Sequence, residues 1–330
     1  MDELLAGLRA AGEETRLRLL ALLARSELTV SELTQILRQS QPRVSRHLKL
    51  LCEAGLLDRF REGSWVFYRL ARQGPGAALA GVLNGLIPLS DAAITRDQER
   101  LEAVRAARVE RANAFFRANA EQWNRLRALY VSESKVETAL LDLAGPAKIK
   151  QLVDLGTGTG RILQLFAPRV EAGLGLDLSP EMLAFARAGL EAPDYAHCSV
   201  RQGDLFDLPL QDNSADLVTL HQVLHYLDEP ATAIAEAARV LKPGGRLLIA
   251  DFAPHELDFL RETQAHRRLG FASDEVSGWL SSAGLSVAQV AHLPPEGGED
   301  AKLTVLIWAA DKPAAGGKPK PAAQIREVSK

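Results

Sequence analysis

Residues 148–163 read KIKQLVDLGTGTGRIL: an apolar run, a glycine-spaced turn, and the start of another apolar period. The run before Asp154 suits a buried parallel strand, and Gly156, Thr157, Gly158 and Gly160 suit a turn whose backbone comes close to a ligand before a helix begins. Alone, such a glycine spacing is a weak signal. The next segment strengthens it: VEAGLGLDLS (170–179) is a second strand ending in Asp177, placed to accept hydrogen bonds from two ribose hydroxyls, with Leu178 beside it.

A dinucleotide-binding domain would set a pyrophosphate on that helix N-terminus. Several residues point instead to S-adenosylmethionine. Asp154 puts an acidic group at the strand end, suited to the cationic amino end of a methionine moiety. VRQGDLFDLPL (200–210) ends a third strand at Asp204, suited to an adenine amino group, with the Leu205 amide nearby. SADLVTLHQVLHYLDEP (214–230) is a fourth strand and a following helix, and EAARVLKPGGRLLIADF (236–252) is a helix, a Pro-Gly-Gly turn and a fifth strand.

These segments, in this order, resemble the class I S-adenosylmethionine-dependent methyltransferases over roughly residues 115–310, on the side of the ubiquinone/menaquinone C-methyltransferase-like branch. The resemblance implies a Rossmann-like seven-stranded sheet in which AKLTVLIWAA (301–310) is the last, antiparallel strand. It also implies S-adenosyl-L-methionine as cofactor, S-adenosyl-L-homocysteine as product, and His221 against the methionine part. His225 is expected one helical turn beyond His221 on the same face. His255, Glu256 and His266 follow the fifth strand, where substrate-covering elements sit. His221 and His255 are the candidate catalytic bases for an acceptor with an acidic proton. An HxxxH pair with dispersed partners is a poor metal site, and none is expected.

The N-terminal quarter has a different character. Leucine stripes run to about Ala24; SELTVSEL (26–33) then enters a short helix marked by Val30, Leu33, Ile36 and Leu37. Ser40 is a good N-cap for a third helix with Pro42 in its first turn and Val44, Leu48 and Leu51 as its buried stripe. Gln41, Arg43, Ser45, Arg46 and Lys49 are left outward or at the edges, a set suited to base edges and phosphates in a major groove. LLDRFREGSWVFYRL (56–70) reads as a hairpin around Glu62-Gly63-Ser64, with Arg59, Arg61 and Arg69 able to reach the backbone beside it. From Arg38 to Arg72 there are eight basic and three acidic residues, a local balance of +5 in a chain of net charge −3. Such a patch can bind a polyanion where the whole chain would not.

Helix, helix, recognition helix and basic hairpin resemble the winged helix-turn-helix of the ArsR/SmtB repressors. The resemblance implies a homodimer on double-stranded operator DNA, two recognition helices entering successive major grooves of an inverted repeat. Metal-sensing members carry cysteine in the segment equivalent to SELTVSEL. Thr29 and Ser31 stand here instead, and read as cap or turn residues. A competing reading is a small-molecule methyltransferase whose winged helix serves only dimerisation.

The expected organisation is multidomain α/β: a winged helix-turn-helix over 1–73, a helical connector over 74–130, a methyltransferase domain over 131–311 and a Pro/Gly/Lys-rich tail over 312–330. In the connector, Ser90-Asp91 is a cap, Leu101, Val104 and Ala107 form a narrow stripe, and Phe115, Phe116, Trp123, Leu126 and Tyr130 concentrate aromatics before the second domain. Cys52 and Cys198 form no CxxC or Cys/His cluster, which fits a reducing cytoplasm, and Cys52 reads as core rather than redox switch. The start MDELLAGLRAAGEETRLRLL is unlike a signal peptide, and no apolar stretch is long enough to span a membrane. The expected function is an ArsR-type regulator that methylates an unknown acceptor, or senses the cofactor pair to control DNA binding, with sulfur-amino-acid or methyl-cycle genes as its targets.

Overall fold

A computed structural model of the chain describes residues 1–62, 65–71, 74–118, 132–260, 266–295 and 303–314. The turn residues Gly63 and Ser64, the connector residues Trp123, Leu126 and Tyr130, and the tail from 315 lie outside the described residues, as do the side chains of Phe115 and Phe116. The chain divides into two compact units, Met1–Ala112 and Asn113–Lys330.

The first unit opens with helices α1 (Asp2–Ala11) and α2 (Glu14–Leu23), a short strand β1 (Leu28–Thr29), then α3 (Val30–Leu37) and α4 (Gln41–Glu53). Strands β2 (Leu57–Glu62) and β3 (Trp65–Leu70) and helices α5 (Pro75–Leu86) and α6 (Ala92–Ala118) follow. The three strands form one sheet in the order β1-β3-β2, with Leu57 opposite Leu70 and Glu62 opposite Trp65. Val44, Leu48 and Leu51 are buried in the core with Leu33, Ile36 and Leu37. Leu101 and Val104 of α6 close the same core.

SELTVSEL is explained by a capping box. The Glu32 amide donates to Thr29 Oγ1, and the Glu32 carboxylate accepts from the Thr29 amide over 2.8 Å, so two N–H groups at the start of α3 are satisfied reciprocally. Thr29→Ala is expected to cost about 1 kcal/mol, read as a lower urea midpoint at unchanged slope. Ser40 does occupy the N-cap position of α4, but its side chain makes no cap bond there. Between α3 and α4, Arg38 adopts a left-handed conformation with φ 53°. Gly55 (φ 68°) ends α4, and a Cβ on Gly76 would stand 2.0 Å from the Gly55 carbonyl oxygen, so α5 can approach α4 only through glycine. Asp97 of α6, 1% exposed, accepts from Nε and Nη2 of Arg18 at 2.6 and 2.8 Å, while Arg100 donates to the Ile36 carbonyl at the end of α3.

The second unit begins with α7 (Glu133–Leu143), β4 (Ile149–Leu155), α8 (Arg161–Phe166), β5 (Val170–Asp177) and α9 (Pro180–Gly189). It continues through β6 (Cys198–Gln202), β7 (Ala215–His221), α10 (Pro230–Val240), β8 (Leu241–Phe252), α11 (Ser273–Ser282), β9 (Ser286–Leu293) and β10 (Val305–Asp311). The seven strands run in the order β6-β5-β4-β7-β8-β10-β9. The expected seven-stranded Rossmann-like sheet is therefore present. β10, the last strand in sequence, is antiparallel to both neighbours. Apolar residues cover both faces, Leu152 and Phe166 on one and Val153 and Leu155 on the other, which explains why β4 reads as an almost unbroken apolar run. β4 pairs in parallel with β5 on one side and β7 on the other, so the chain reverses its winding direction there. A ligand site is expected beyond the carboxyl ends of the strands at such a switch point.

One local expectation is corrected. After β7 the chain forms only a short 3₁₀ turn, Leu224–Tyr226, and α10 starts at Pro230. The proline disfavours a helical Glu229 and fits the first turn of a helix, so no helix places His225 on one face with His221. Among the described residues no helix is long and apolar enough to cross a membrane.

Candidate functional site

The glycine turn is tied to the next strand through its backbone. The amides of Gly156 and Thr157 both donate to the Leu176 carbonyl, at 2.8 and 2.9 Å, and the Gly158 amide donates to Asp177 Oδ2 at 2.8 Å. Asp177 Oδ1 accepts from Ser179 N–H at 2.9 Å. A carboxylate has about four acceptor sites, so two remain for a diol. Gly156, Gly158 and Gly160 all have positive φ. A Cβ on Gly156 would meet Val223 Cγ2 at 2.4 Å, and one on Gly160 would press Ala186 Cβ at 3.2 Å. A Cβ on Gly158 would enter open space, as a cradle for a close-lying ligand requires.

Asp154, 1% exposed at the end of β4, accepts from Thr219 Oγ1 of β7 at 2.7 Å, while its Oδ2 has no hydrogen-bond partner among the described residues. Burial pushes its pKa up to about 6, against the lowering effect of Thr157 and Thr219. A buried carboxylate oxygen without a donor fits a cationic amino group, because binding would supply the missing bond and charge. Asp154, the glycine turn and Asp177 would therefore hold S-adenosylmethionine, which supplies an electrophilic methyl group on a sulfonium.

The other sequence-expected residues fall less uniformly. Asp204 lies beyond the end of β6, exposed, with Oδ1 accepting from Phe206 N–H at 2.9 Å. The Leu205 side chain is buried in the core, whereas Leu178 beside Asp177 is 64% exposed. His221 ends β7 and is partly accessible; desolvation lowers its pKa to about 4, so the ring is neutral at neutral pH. His255 Nδ1 accepts from the Leu257 amide at 3.2 Å, which assigns the ring proton to Nε2 and leaves the neutral ring no lone pair for a substrate proton. Sequence reasoning missed Thr219, Val223 and Asp251. Asp251 is fully buried, and its Oδ1 lies 2.7 Å from His225 Nδ1. An acidic residue inside the apolar run RLLIADF was the available signal for it.

In the first unit, Ser40, Gln41, Arg43, Arg46 and Lys49 are exposed and Ser45 is half-buried. Arg43 and Arg46 have no ion-pair partner among the described residues, and Lys49 pairs only loosely with Glu53 at 3.7 Å. Arg59 and Arg61 of β2 are exposed. Arg69 differs from the expectation: it is held by Asp58 at 3.2 Å and Glu27 at 3.7 Å, over the Phe60 ring, because register sets Arg69 opposite Asp58. Cys52 has its pKa pushed up to about 11 by burial, which keeps the thiol protonated. No group of three or more His, Cys, Asp or Glu among the described residues is placed to hold a metal ion.

Comparison with known families decides the two assignments. Residues 13–59 match the family described as bacterial regulatory protein, arsR family, and residues 153–249 match the methyltransferase domain family. The chain joins an arsR-family regulatory domain to a methyltransferase domain. Over 123 residues the chain is 38% identical to an uncharacterized methyltransferase of Mycobacterium tuberculosis, covering 37% of this chain and 48% of that protein. Over 127 residues it is 36% identical to the ubiquinone/menaquinone biosynthesis C-methyltransferase of a Ruegeria species, covering 38% of this chain and 51% of that protein. The chain thus spans about half the length of these curated relatives. Among solved structures, geranyl diphosphate C-methyltransferase of Streptomyces coelicolor, in complex with magnesium, geranyl diphosphate and S-adenosyl-L-homocysteine, is 19% identical with a TM-score of 0.48, covering 55% of this chain and 77% of that one. The methyltransferase family match contains Asp154, the glycine turn, Asp177, Asp204 and His221; the regulatory match contains α3 and α4.

Proposed function

We propose that the chain is a DNA-binding regulator whose methyltransferase domain binds S-adenosylmethionine and transfers its methyl group to a small acceptor. The observation that carries the second half is the cradle at the β4–β7 switch point: a buried Asp154 oxygen without a hydrogen-bond partner among the described residues, an open Gly158, and an Asp177 carboxylate with two acceptor sites left. In this reading Asp204 and the Leu205 amide receive the adenine, Leu178 lies against it, and His221 flanks the methionine part. The first half is supported by Arg43 and Arg46, exposed on α4 without ion-pair partners among the described residues, as expected of a helix that meets phosphates and base edges. The product, S-adenosylhomocysteine, occupies the same cradle.

A homodimer on an inverted-repeat operator belongs to this reading. Its support is an exposed apolar face: α1 and α5 pack together, and Leu4, Leu5, Leu8, Val82 and Leu86 stay exposed on them, Leu86 by 74%. Leu5→Glu with Leu86→Glu is expected to convert a dimer to monomers in sedimentation and to weaken operator binding.

Cofactor binding should depend on pH through Asp154. A cationic amino group selects the ionised carboxyl, whose pKa is raised to about 6. Affinity is therefore full above that pH and falls about tenfold per unit below it, measurable by calorimetry between pH 7.5 and 5.

The pairing of the two domains in one chain supports a second role, control of DNA binding by the cofactor or its product. Such control requires the ligand to favour one DNA-binding geometry over another. The test is binding of the full chain to its own upstream DNA, titrated with S-adenosylmethionine and with S-adenosylhomocysteine. DNA affinity unchanged by either ligand sinks the sensing role, and absence of specific DNA binding leaves the dimerising winged helix.

A further inference from the structure

At the carboxyl ends of β7 and β8, a histidine just past β7 and an aspartate in the last residues of β8, 26 positions apart in sequence, form a buried pair. His225, 2% exposed, sets Nδ1 2.7 Å from Asp251 Oδ1, and the same oxygen accepts the Phe252 amide at 2.8 Å. The carboxylate is the acceptor, so Nδ1 carries the proton and the lone pair of the neutral ring sits on Nε2. The backbone here is pinned from both sides. The His225 amide reaches Asp251 Oδ2 at 3.4 Å, and its carbonyl accepts from the amides of Arg267 and Arg268 at 2.9 and 3.2 Å.

This pair adjoins the cofactor cradle. Val223, two residues before His225, is the side chain a Cβ on Gly156 would strike, so the turn carrying His225 rests on the glycine loop. Gln222, between His221 and Val223, is left-handed at φ 54°, a conformation that costs free energy in a residue other than glycine, and its amide donates a hydrogen bond to the Ala250 carbonyl at 2.7 Å. The groups facing His225 are Asp251 from β8, His221 at the end of β7, Tyr226 from its own turn, and His266. Tyr226 and His266 cover the ring, each with its centroid 4.1 Å away. His266 is 6% exposed, yet its Nδ1 has no partner among the described residues. The His266 amide donates to the Leu260 carbonyl at 3.2 Å, which sets this ring over His225.

We propose that His225 is the general base of methyl transfer and Asp251 its positioning residue, so that the methyl acceptor is a protic nucleophile carrying an O–H or an acidic C–H. This rests on the methyltransferase reading above. As the acceptor atom bonds to the methyl carbon and the carbon–sulfur bond breaks with its pair remaining on sulfur, the acceptor's proton passes to His225 Nε2. Asp251 stabilises the imidazolium, which then releases the proton to solvent. An acceptor without a proton to lose, such as a thioether, would need no such pair.

The test uses the full chain, methyl-labelled S-adenosylmethionine, catechol as a protic probe and dimethyl sulfide as an aprotic one. Label is expected on catechol and not on dimethyl sulfide. His225→Asn, whose amide nitrogen takes the place of Nδ1 and can still donate to Asp251 but cannot take a proton, is expected to lower turnover on catechol by about 10²–10⁴-fold with cofactor affinity unchanged. In the parent protein, ¹⁵N spectra should show His225 protonated at Nδ1, with the Nε2 resonance moving when catechol is added with S-adenosylhomocysteine. His225→Asn turning over like the parent, label on dimethyl sulfide alone or on neither probe, or an Nε2 resonance indifferent to catechol would each overturn the proposal. Failure of the parent to bind S-adenosylmethionine at all in calorimetry would instead overturn the underlying reading.

Discussion

Asp177→Ala is expected to lower the affinity for S-adenosylmethionine about 100- to 1000-fold. Two hydroxyl-to-carboxylate hydrogen bonds at about 1.5–2 kcal/mol each account for that range, since every 1.4 kcal/mol is about tenfold. Asp177 also holds the Gly158 and Ser179 amides, so the alanine variant loosens the glycine turn as well. Asp177→Asn separates the two effects: it keeps a side-chain oxygen for one of those amides but loses the charge and acceptor capacity for a diol, and should fall between parent and alanine. Calorimetry reads the affinity, and circular dichroism checks that the sheet persists. Parent-like affinity in the alanine variant would remove this cradle as the cofactor site.

Arg43→Ala combined with Arg46→Ala should weaken operator binding by about two orders of magnitude near physiological salt. Every phosphate no longer neutralised by an arginine also flattens the plot of log affinity against log salt by about 0.9, so the slope should shrink by about 1.8 for the pair. Both side chains are exposed on α4 while Val44, Leu48 and Leu51 carry its packing, so folding should be unaffected. Cofactor affinity should not change. Fluorescence anisotropy on the upstream DNA at several salt concentrations reads both quantities, and an unaltered slope would favour a winged helix that only dimerises.

Much of the site was legible because its chemistry is local. The glycines, with Asp154 before them and Asp177 about one strand–helix–strand unit later, make a pattern in which spacing and residue type state the same requirement. Thr29 and Glu32 were legible for the same reason, as a capping box is complete within four residues. Where reading failed, a local pattern had been extended one step too far. HQVLHYLDEP suggests a helix by periodicity, but Pro230 moves the helix start and leaves a 3₁₀ turn, which separates the roles of His221 and His225. Ser40, which does stand at the N-cap, and Arg69 were legible only in part. A cap position does not guarantee a cap bond, and a basic residue on a hairpin is removed from a DNA-facing role when register places an acid opposite it.

The sequence by itself determined the two domain types, the winged helix-turn-helix with its basic helix, and the parallel sheet with its glycine turn. Each is encoded in periodicity, capping and backbone freedom over a few residues. Only the tertiary structure decided that Thr219 donates to Asp154 across 65 positions, that Val223 backs Gly156, and that Asp251 orients His225. Those interactions depend on β7 lying between β4 and β8. Strand order is set by how the faces of the sheet are buried together, a property of the whole fold that no short stretch of sequence contains.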